Sequence, residues 1–335
     1  MRMLACTLLL ASLAACATMQ TAPPASTSPP SPGVVASVPV GRGPTLLAIS
    51  PDGATVYAAS VGKLFAIRTA TNAVAATASI DPYTTGLAVT PDGASVLSIA
   101  MSSSTLKVLP AGTLSNPTTI ALPQNLYPGG YGQIAVAADG RSAWIVNEAL
   151  WVAAADLGTA TARRIQLDLR PRDAALSRDG RTVYLAGCKE YCTTGTIEAI
   201  DPASGDVRAT LAVGPAPYRL ALSPDGRRAY TTDLGGPTLS VVDLSGGAAT
   251  ATLPVGTEPT GLAVSPDGAR VYVAAKQSST LTIARGDGSA VLATVPLTGL
   301  PRDVVVSPDG QRAYVSTSAP DAVVVFDTGR LVASE

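Results

Sequence analysis

Three short sequences place arginine at, or one residue after, a repeated position of the chain, where it could bind an anionic group. They are Arg172-Asp173, Tyr218-Arg219 and Arg302-Asp303, and in each the Asp of an Asp-Gly pair follows seven residues after the first member. Arginine recognises carboxylates and phosphates with a planar fork of N–H donors. The two Arg-Asp pairs could instead neutralise each other and brace the fold, since structural ion-pair networks are common. Both interpretations, ligand site and brace, stay open.

The chain contains no histidine, and this absence removes most familiar catalytic arrangements. Ser-His-Asp hydrolysis and Cys-His pairs are excluded, as are His-ligated zinc, copper, iron and haem. Any catalysis must rest on carboxylates, Tyr, Lys, Ser or Cys, and no motif arranges these residues for it. We therefore predict no catalytic residue, no metal and no cofactor. The formal net charge of −1 gives no reason to expect a nucleic-acid partner.

Seven copies of an Asp-Gly turn define the elements that must position these residues. Their glycines are Gly53, Gly93, Gly140, Gly180, Gly226, Gly268 and Gly310. Successive glycines are 40 to 47 residues apart, which is the length of one four-stranded blade. In the sixth copy, apolar strands A to D fall at residues 260–264, 270–274, 281–284 and 291–295. The sequence predicts an all-β fold, a seven-bladed β-propeller with four-stranded antiparallel blades.

Strand D can be counted more often than strands A to C. Residues 34–40 have the pattern of a D strand without a blade, and residues 331–334 that of a truncated one. We predict that the N-terminal strand lies beside residues 322–326 and closes the ring, because closure removes exposed strand edges. The propeller would then span residues 34–335.

Short strings after the Asp-Gly turns carry a family resemblance. They include Val-Tyr-Val-Ala from Val271, Ala-Tyr-Val-Ser from Ala313 and Val-Tyr-Leu-Ala from Val183, and a Gly-x-x-Pro string precedes strand A. Together they resemble the YVTN-type propeller repeat over about residues 34–330. Copies two and three depart from it, because Leu97 and Trp144 replace the tyrosine. The resemblance implies the fold and says little about activity.

In propellers the A–B turns lie on one face, and the D–A and B–C loops lie on the other, around the mouth of a central channel. Five tyrosines fall in the second set of loops: Tyr83, Tyr127, Tyr131, Tyr191 and Tyr218. The starts of the A strands, with all three arginines, are expected to face the channel mouth on the same side. Tyrosine and arginine are typical of binding surfaces. The candidate ligand residues are Arg172, Asp173, Tyr218, Arg219, Arg302, Asp303 and Tyr131.

Residues 1–15 have the order of a signal peptide, because Arg2 precedes a short apolar run. Leu13-Ala14-Ala15-Cys16 resembles the bacterial lipobox, which implies cleavage before Cys16 and lipid on that cysteine. Ala17 in place of Asp then implies the outer membrane, by the sorting rule of Gram-negative lipoproteins. Residues 16–33 would be the lipidated cysteine and a tether rich in Pro, Ser and Thr. The alternative is an ordinary secretory peptide with a chance cysteine.

Cys188 and Cys192 are the cysteines that remain in the predicted propeller. In an oxidising compartment their spacing predicts a disulfide that closes a small loop. A metal site lacks further ligands nearby, and a redox pair would have two intervening residues instead of three.

Together these features predict a lipid-anchored periplasmic propeller that binds a protein partner or a small ligand at its D–A and B–C loops. One alternative is a hydrolase resembling propeller lactonases, with its site in the channel. Another is an accessory subunit of a periplasmic dehydrogenase. Whether the protein is an enzyme stays open, although the missing catalytic motif argues against it.

Overall fold

A computed structural model describes residues 31–101, 103–123, 132–147, 149–189 and 192–332. Its 28 strands form seven four-stranded sheets with antiparallel neighbours. The A strands of successive blades pack against one another around the ring, and the last one packs against the first. These features confirm the predicted all-β, seven-bladed propeller. No helix among the described residues is long and apolar enough to cross a membrane.

The first four blades follow one another along the chain. Blade 1 contains β2 (Leu46–Ile49), β3 (Thr55–Ser60), β4 (Lys63–Arg68) and β5 (Ala73–Ser79). Blade 2 contains β6 (Thr84–Val89), β7 (Ser95–Ala100), β8 (Thr105–Pro110) and β9 (Thr118–Ala121). Blade 3 contains β10 (Ile134–Val136), β11 (Ser142–Asn147), β12 (Trp151–Asp156) and β13 (Thr161–Gln166). Blade 4 contains β14 (Arg170–Leu176), β15 (Val183–Cys188), β16 (Gly195–Ile200) and β17 (Val207–Val213).

The last three blades continue this order, except that blade 7 takes one strand from the N-terminus. Blade 5 contains β18 (Pro217–Leu222), β19 (Arg228–Asp233), β20 (Thr238–Asp243) and β21 (Ala248–Pro254). Blade 6 contains β22 (Pro259–Val264), β23 (Arg270–Ala275), β24 (Thr280–Arg285) and β25 (Val291–Pro296). Blade 7 contains β26 (Leu300–Val306), β27 (Arg312–Ser318), β28 (Ala322–Asp327) and β1 (Val34–Pro39).

The N-terminal strand closes the ring, as predicted. Strand β1 pairs with β28 so that Pro39 lies opposite Ala322 and Val34 opposite Phe326. The expected strand at residues 331–334 is wrong as far as the structure describes it, to residue 332. A 3₁₀ turn over Thr328–Arg330 follows β28, and Leu331 packs into the core. Because β1 already occupies the outer edge of β28, a later strand has no place beside β28.

In the Asp-Gly turns, the Asp carboxylate accepts hydrogen bonds from residues of the same turn. In blade 6, Ser265 donates its hydroxyl to Asp267, which also accepts the N–H of Ala269 at 2.9 Å. Gly268 has a φ of 70°, a left-handed conformation that glycine adopts without steric cost. The Ser265 hydroxyl holds the pKa of Asp267 below its ordinary value. Five further turns share this Ser/Thr-to-Asp bond, at Asp52, Asp92, Asp179, Asp225 and Asp309. We call the face that carries the A–B and C–D turns the turn face, and the opposite face the loop face.

Strand-B tyrosines connect neighbouring blades. The hydroxyl of Tyr57 donates to the carbonyl of Ala111 at 3.2 Å, and that of Tyr230 donates to the carbonyl of Gly286 at 2.6 Å. Both carbonyls lie at the C–D turn of the next blade. The tyrosine ring fills the apolar core between two blades while its hydroxyl finds a partner, as buried tyrosines require. This explains why tyrosine recurs at the position after the Asp-Gly turn.

We predict that ring closure depends on the inward side chains of β1. Val38 is 4% exposed and packs into a core cluster with residues of blades 1 and 7, whereas Val35 on the same strand is 41% exposed. Val38→Asp should lower the free energy of unfolding by about 3 kcal/mol, because it buries an unpaired charge. Val35→Asp should change it by less than about 1 kcal/mol. Chemical denaturation measures both, and equal effects would contradict closure by β1.

Candidate functional site

The seven A strands bring two sets of residues to the channel. The first set, which we call the mouth ring, comprises Thr45, Thr85, Gly132, Arg172, Tyr218, Thr260 and Arg302. The next residue of each blade belongs to the second set, the inner ring: Leu46, Gly86, Gln133, Asp173, Arg219, Gly261 and Asp303. Successive residues of an extended strand point to opposite sides. A shift of one position therefore decides whether a charged side chain belongs to the mouth or to the channel interior.

A β-bulge marks the mouth position in five blades. The pairing of strands A and B skips one residue of strand A there, and the skipped residues are Thr85, Arg172, Tyr218, Thr260 and Arg302. In four of these blades a proline stands directly before the bulge: Pro171, Pro217, Pro259 and Pro301. A bulge turns a side chain away from the regular alternation and is frequent next to functional sites. The recurring proline was the sequence signal for this geometry.

The Arg219 side chain lies across the channel and contacts three other blades. Its Nη1 donates to Oε1 of Gln133, its Nε donates to the carbonyl of Thr260 at 3.0 Å, and its Nη2 lies 3.4 Å from Oδ1 of Asp303. Only 12% of the Arg219 side chain is exposed. Because Arg219 starts in blade 5 and its partners belong to blades 3, 6 and 7, its side chain must extend across the channel. The guanidinium also lies 5.9 Å from the ring centroid of Tyr218.

Asp173 connects blade 4 to blade 5 through the backbone. It is buried, and its Oδ2 accepts the N–H of Leu220 at 2.9 Å while its Oδ1 accepts the N–H of Ala174 at 2.8 Å. Burial raises the pKa of Asp173 to about 6, against the opposing influence of the Arg219 charge and these two N–H groups. Both carboxylate oxygens of Asp173 therefore accept hydrogen bonds that hold the blades together.

Asp303 repeats this arrangement between blade 7 and blade 1. Its Oδ2 accepts the N–H of Leu47 at 2.9 Å, and its Oδ1 accepts the N–H of Val304 at 3.0 Å. Burial raises the pKa of this carboxyl as well, although Arg219 opposes the shift. The Asp303 carboxylate thus attaches the blade that the N-terminal strand completes to the first blade of the ring.

The structure brings together Asp173, Arg219 and Asp303, but not as the Arg-Asp pairs that the sequence suggested. Arg219 belongs to the inner ring, one position beyond Arg172 and Arg302, so the expectation that all three arginines face the mouth is wrong for Arg219. Gln133, which sequence reasoning gave no role, joins the network and donates its Nε2 to the carbonyl of Thr85 at 3.0 Å. The brace is therefore built around one arginine with partners in several blades.

The other candidate residues belong to the mouth ring or lie outside the described residues. Arg172, Tyr218 and Arg302 are half-buried members of the mouth ring. The Nε atom of Arg302 and the hydroxyl of Thr260 are buried, and neither has a hydrogen-bond partner in the described structure. Tyr131, Cys16 and the predicted signal peptide lie outside the described residues, so their assignments stay predictions.

A second polar feature of the loop face lies beside the cysteine pair. Cys188 and Cys192 are at disulfide distance, with Cα atoms 5.1 Å apart, and they close the B–C loop of blade 4. Next to them, Lys189 Nζ lies 4.0 Å from the buried carboxylate of Glu198. Burial raises the pKa of Glu198. Across the described ranges, no three Asp, Glu or Cys side chains converge to hold a metal ion.

The turn face contains a cavity of about 430 Å³ between blades 1 and 2, on the side opposite the mouth ring. Its lining includes Arg68, the carboxylates of Asp52 and Asp92, which are engaged in their own turns, and the small residues Ala76 and Gly112. We interpret it as a gap left by small side chains between blades. The mouth ring is the better candidate site, because it holds a buried arginine donor without a partner in the described structure.

Comparisons with known proteins support the fold alone. No protein-family model and no curated protein matches the sequence. The chain is similar to hydrazine synthase from Kuenenia stuttgartiensis, with a TM-score of 0.76 and 21% identity over 86% of this chain and 96% of that one. It is also similar to the β-propeller domain of Cps50 (Swd1) from Myceliophteria thermophila, with a TM-score of 0.75 and 10% identity over 88% of this chain and 99% of that one. Such low identities establish the β-propeller architecture and no function.

We predict that Arg219 is indispensable for stability. Arg219→Met leaves the buried carboxylates of Asp173 and Asp303 without their cation and should lower the free energy of unfolding by about 3 to 5 kcal/mol. Arg170→Met, at an exposed position of strand β14, should change it by less than about 0.5 kcal/mol. Denaturant titration measures both variants. If the two substitutions cost the same, the channel network is not a brace.

The raised pKa of Asp173 predicts a pH dependence with a defined sign. Its stabilising contribution is fully present below the ordinary value of 3.8 and is lost as the pH rises to about 6. The unfolding free energy of the native protein, minus that of Asp173→Asn, should therefore decrease over this range and stay constant above it.

Asp309→Asn provides a control of opposite sign for this titration. The Ser307 hydroxyl lowers the pKa of Asp309, so its contribution is present above the ordinary value and is lost in acid. An Asp173 difference that is flat, or that increases with pH, would show that its carboxyl is not held neutral by burial.

Proposed function

We propose that this protein is a binding or scaffold propeller of the YVTN type, attached by lipid on Cys16 to the outer membrane and facing the periplasm. Its loop face would take a protein partner or a small ligand, with Arg172, Asp173, Tyr218, Arg219, Arg302, Asp303 and Tyr131 around the central position. Within this set, Asp173, Arg219 and Asp303 would act by holding the mouth ring in place. Arg172, Tyr218 and Arg302 would meet the ligand.

The observation that carries this proposal is the exposure of large apolar side chains in the loops of the loop face. Four such side chains lie at that face: Val61, Tyr83, Leu234 and Leu300. The other three within the described ranges, Val35, Val74 and Val207, lie at the turn-face ends of the outer D strands, and none of them stands in a turn. Exposed apolar side chains near polar groups are characteristic of interaction surfaces.

Tyr83 is the most prominent of these side chains. It is 72% exposed, and its backbone has a φ of 64°, an uncommon conformation for a residue other than glycine. Such strained residues concentrate where a loop presents a side chain for recognition. Tyr83 therefore supports the expectation that the loop tyrosines contribute to binding.

The hydrolase alternative has one supporting observation. A carboxyl with a pKa of about 6, as for Asp173, could serve as a general base. Its carboxyl, however, is buried and both oxygens accept backbone N–H groups, so a substrate has no direct access to it. The accessory-subunit alternative has support only from the similarity to hydrazine synthase, which at 21% identity concerns the fold.

Site-specific photo-crosslinking in bacterial membranes tests the proposal. A photoreactive phenylalanine in place of Tyr83, or of Leu234, should give one discrete adduct, because both positions are exposed on the loop face. The same substitution at Arg178, exposed in an A–B turn of the turn face, should give none. Intact mass of the membrane-extracted protein should show a chain that begins at a lipid-modified Cys16.

Three outcomes of this experiment would count against the proposal. Equal adducts at Arg178 and Tyr83 would remove the distinction between the faces. No adduct at either loop position, combined with turnover of a lactone panel by the purified protein, would favour the hydrolase. An uncleaved signal peptide with unmodified Cys16 would refute the lipid anchor.

A further inference from the structure

We propose that the mouth ring binds an oxyanion, the carboxylate or phosphate group of a ligand, between Arg302 of blade 7 and Thr260 of blade 6. The inference rests on the proposed function, because it names the chemistry that the centre of the loop face would recognise. Two buried polar atoms without partners, carboxylates held in place by backbone N–H groups and the close approach of two strands support it.

Arg302 has an N–H group that the fold does not use. Its Nε is buried, and no acceptor within the described residues lies within hydrogen-bond distance of it. Leaving a buried donor of a charged group unsatisfied is costly, so such donors normally have a partner in the functional state. Because Arg302 is the skipped residue of a bulge, its side chain is released from the regular alternation of strand β26.

The neighbouring carboxylates are held away from this donor by their own bonds. Asp303, the next residue in the chain, accepts two backbone N–H groups and pairs with Arg219. Asp173 likewise accepts one backbone N–H on each oxygen. Since neither carboxylate reaches Arg302 Nε in this arrangement, an acceptor from outside the inner ring can take that place.

Thr260 supplies a second donor next to Arg302. Its hydroxyl is buried and has no partner among the described residues. Strands β22 and β26 approach each other closely at this level, because a Cβ added to Gly261 would lie 2.9 Å from the Cα of Asp303. Thr260 and Arg302 directly precede these two residues, so adjacent bulges present both of them at the mouth.

The charge balance of the two rings favours an anion. They contain three guanidinium groups, of Arg172, Arg219 and Arg302, and two carboxylates, of Asp173 and Asp303. A cation held in a partly buried position attracts an oxyanion more strongly than one in bulk water, since screening is weaker there. The guanidinium fork offers parallel N–H donors to two oxygens, and the hydroxyl of Thr260 can donate to one of them.

Binding of acetate, succinate and inorganic phosphate, followed by NMR titration of the whole mature chain at constant ionic strength, tests the proposal. At least one probe should bind saturably, and its identity distinguishes carboxylate from phosphate recognition.

Arg302→Gln should weaken binding roughly tenfold, because it removes a charged donor. Arg302→Lys keeps the charge but loses Nε and the fork, and should weaken it several-fold. Thr260→Val should also weaken it several-fold.

The control is Arg170→Gln, which removes the same charge from an exposed position on the loop side of blade 4. It should alter affinity less than twofold. Equal losses for Arg170→Gln and Arg302→Gln would reduce the effect to general surface charge and overturn the proposal. So would the absence of saturable binding by every probe, or full affinity in Arg302→Gln that is folded by circular dichroism. Crosslinks from Tyr83 do not depend on Arg302, so their persistence would leave the proposed function standing.

Discussion

The arrangement of the blades around the channel depends on the bonds of one buried arginine, Arg219. The Arg219 side chain extends into the channel, where a buried charge is costly unless its N–H groups have hydrogen-bond acceptors. Its acceptors come from blades 3, 6 and 7. Asp173 and Asp303 add bonds to the blades that follow them. Because this network spans the axis, the blades must keep a fixed register around it. It also places side chains that already have partners across the channel, which favours the mouth as the proposed place of recognition.

The two faces differ in how the repeat uses their polar side chains. On the turn face, the Asp carboxylate of each Ser/Thr-x-Asp-Gly turn accepts hydrogen bonds within that turn, and Tyr57 and Tyr230 donate their hydroxyls to the next blade. On the loop face the repeated bonds join backbone groups, because B–C loop N–H groups such as those of Val61 and Leu234 donate to carbonyls of the D–A loops. In five blades a bulge also releases one side chain there, and apolar residues such as Tyr83 remain exposed. The proposed recognition would thus lie on the face opposite the Asp-Gly turns.

The sequence predicts the ring well because its determinants are local and repeated. The spacing of the glycines predicts the blades, and a surplus strand predicts closure by residues 34–40, which the pairing with β28 confirms. The channel network could not be predicted in the same way, since its bonds join residues such as Asp173 and Leu220 that only the ring brings together. The placement of Arg219 was available in the sequence as an offset of one position. At the bulge of blade 5, that offset decides whether a side chain belongs to the mouth ring or to the inner ring.

The central claim is that the arginine of the inner ring braces the fold while Arg302 of the mouth ring is left to bind. NMR of the arginine Nε–H groups tests it directly, before and after addition of an oxyanion. The Arg219 Nε–H, bonded to the Thr260 carbonyl, should exchange slowly with water and stay unchanged, whereas that of Arg302 should shift and become protected. Rapid exchange of the Arg219 Nε–H, or a ligand-induced shift at Arg219 equal to that at Arg302, would contradict the claim.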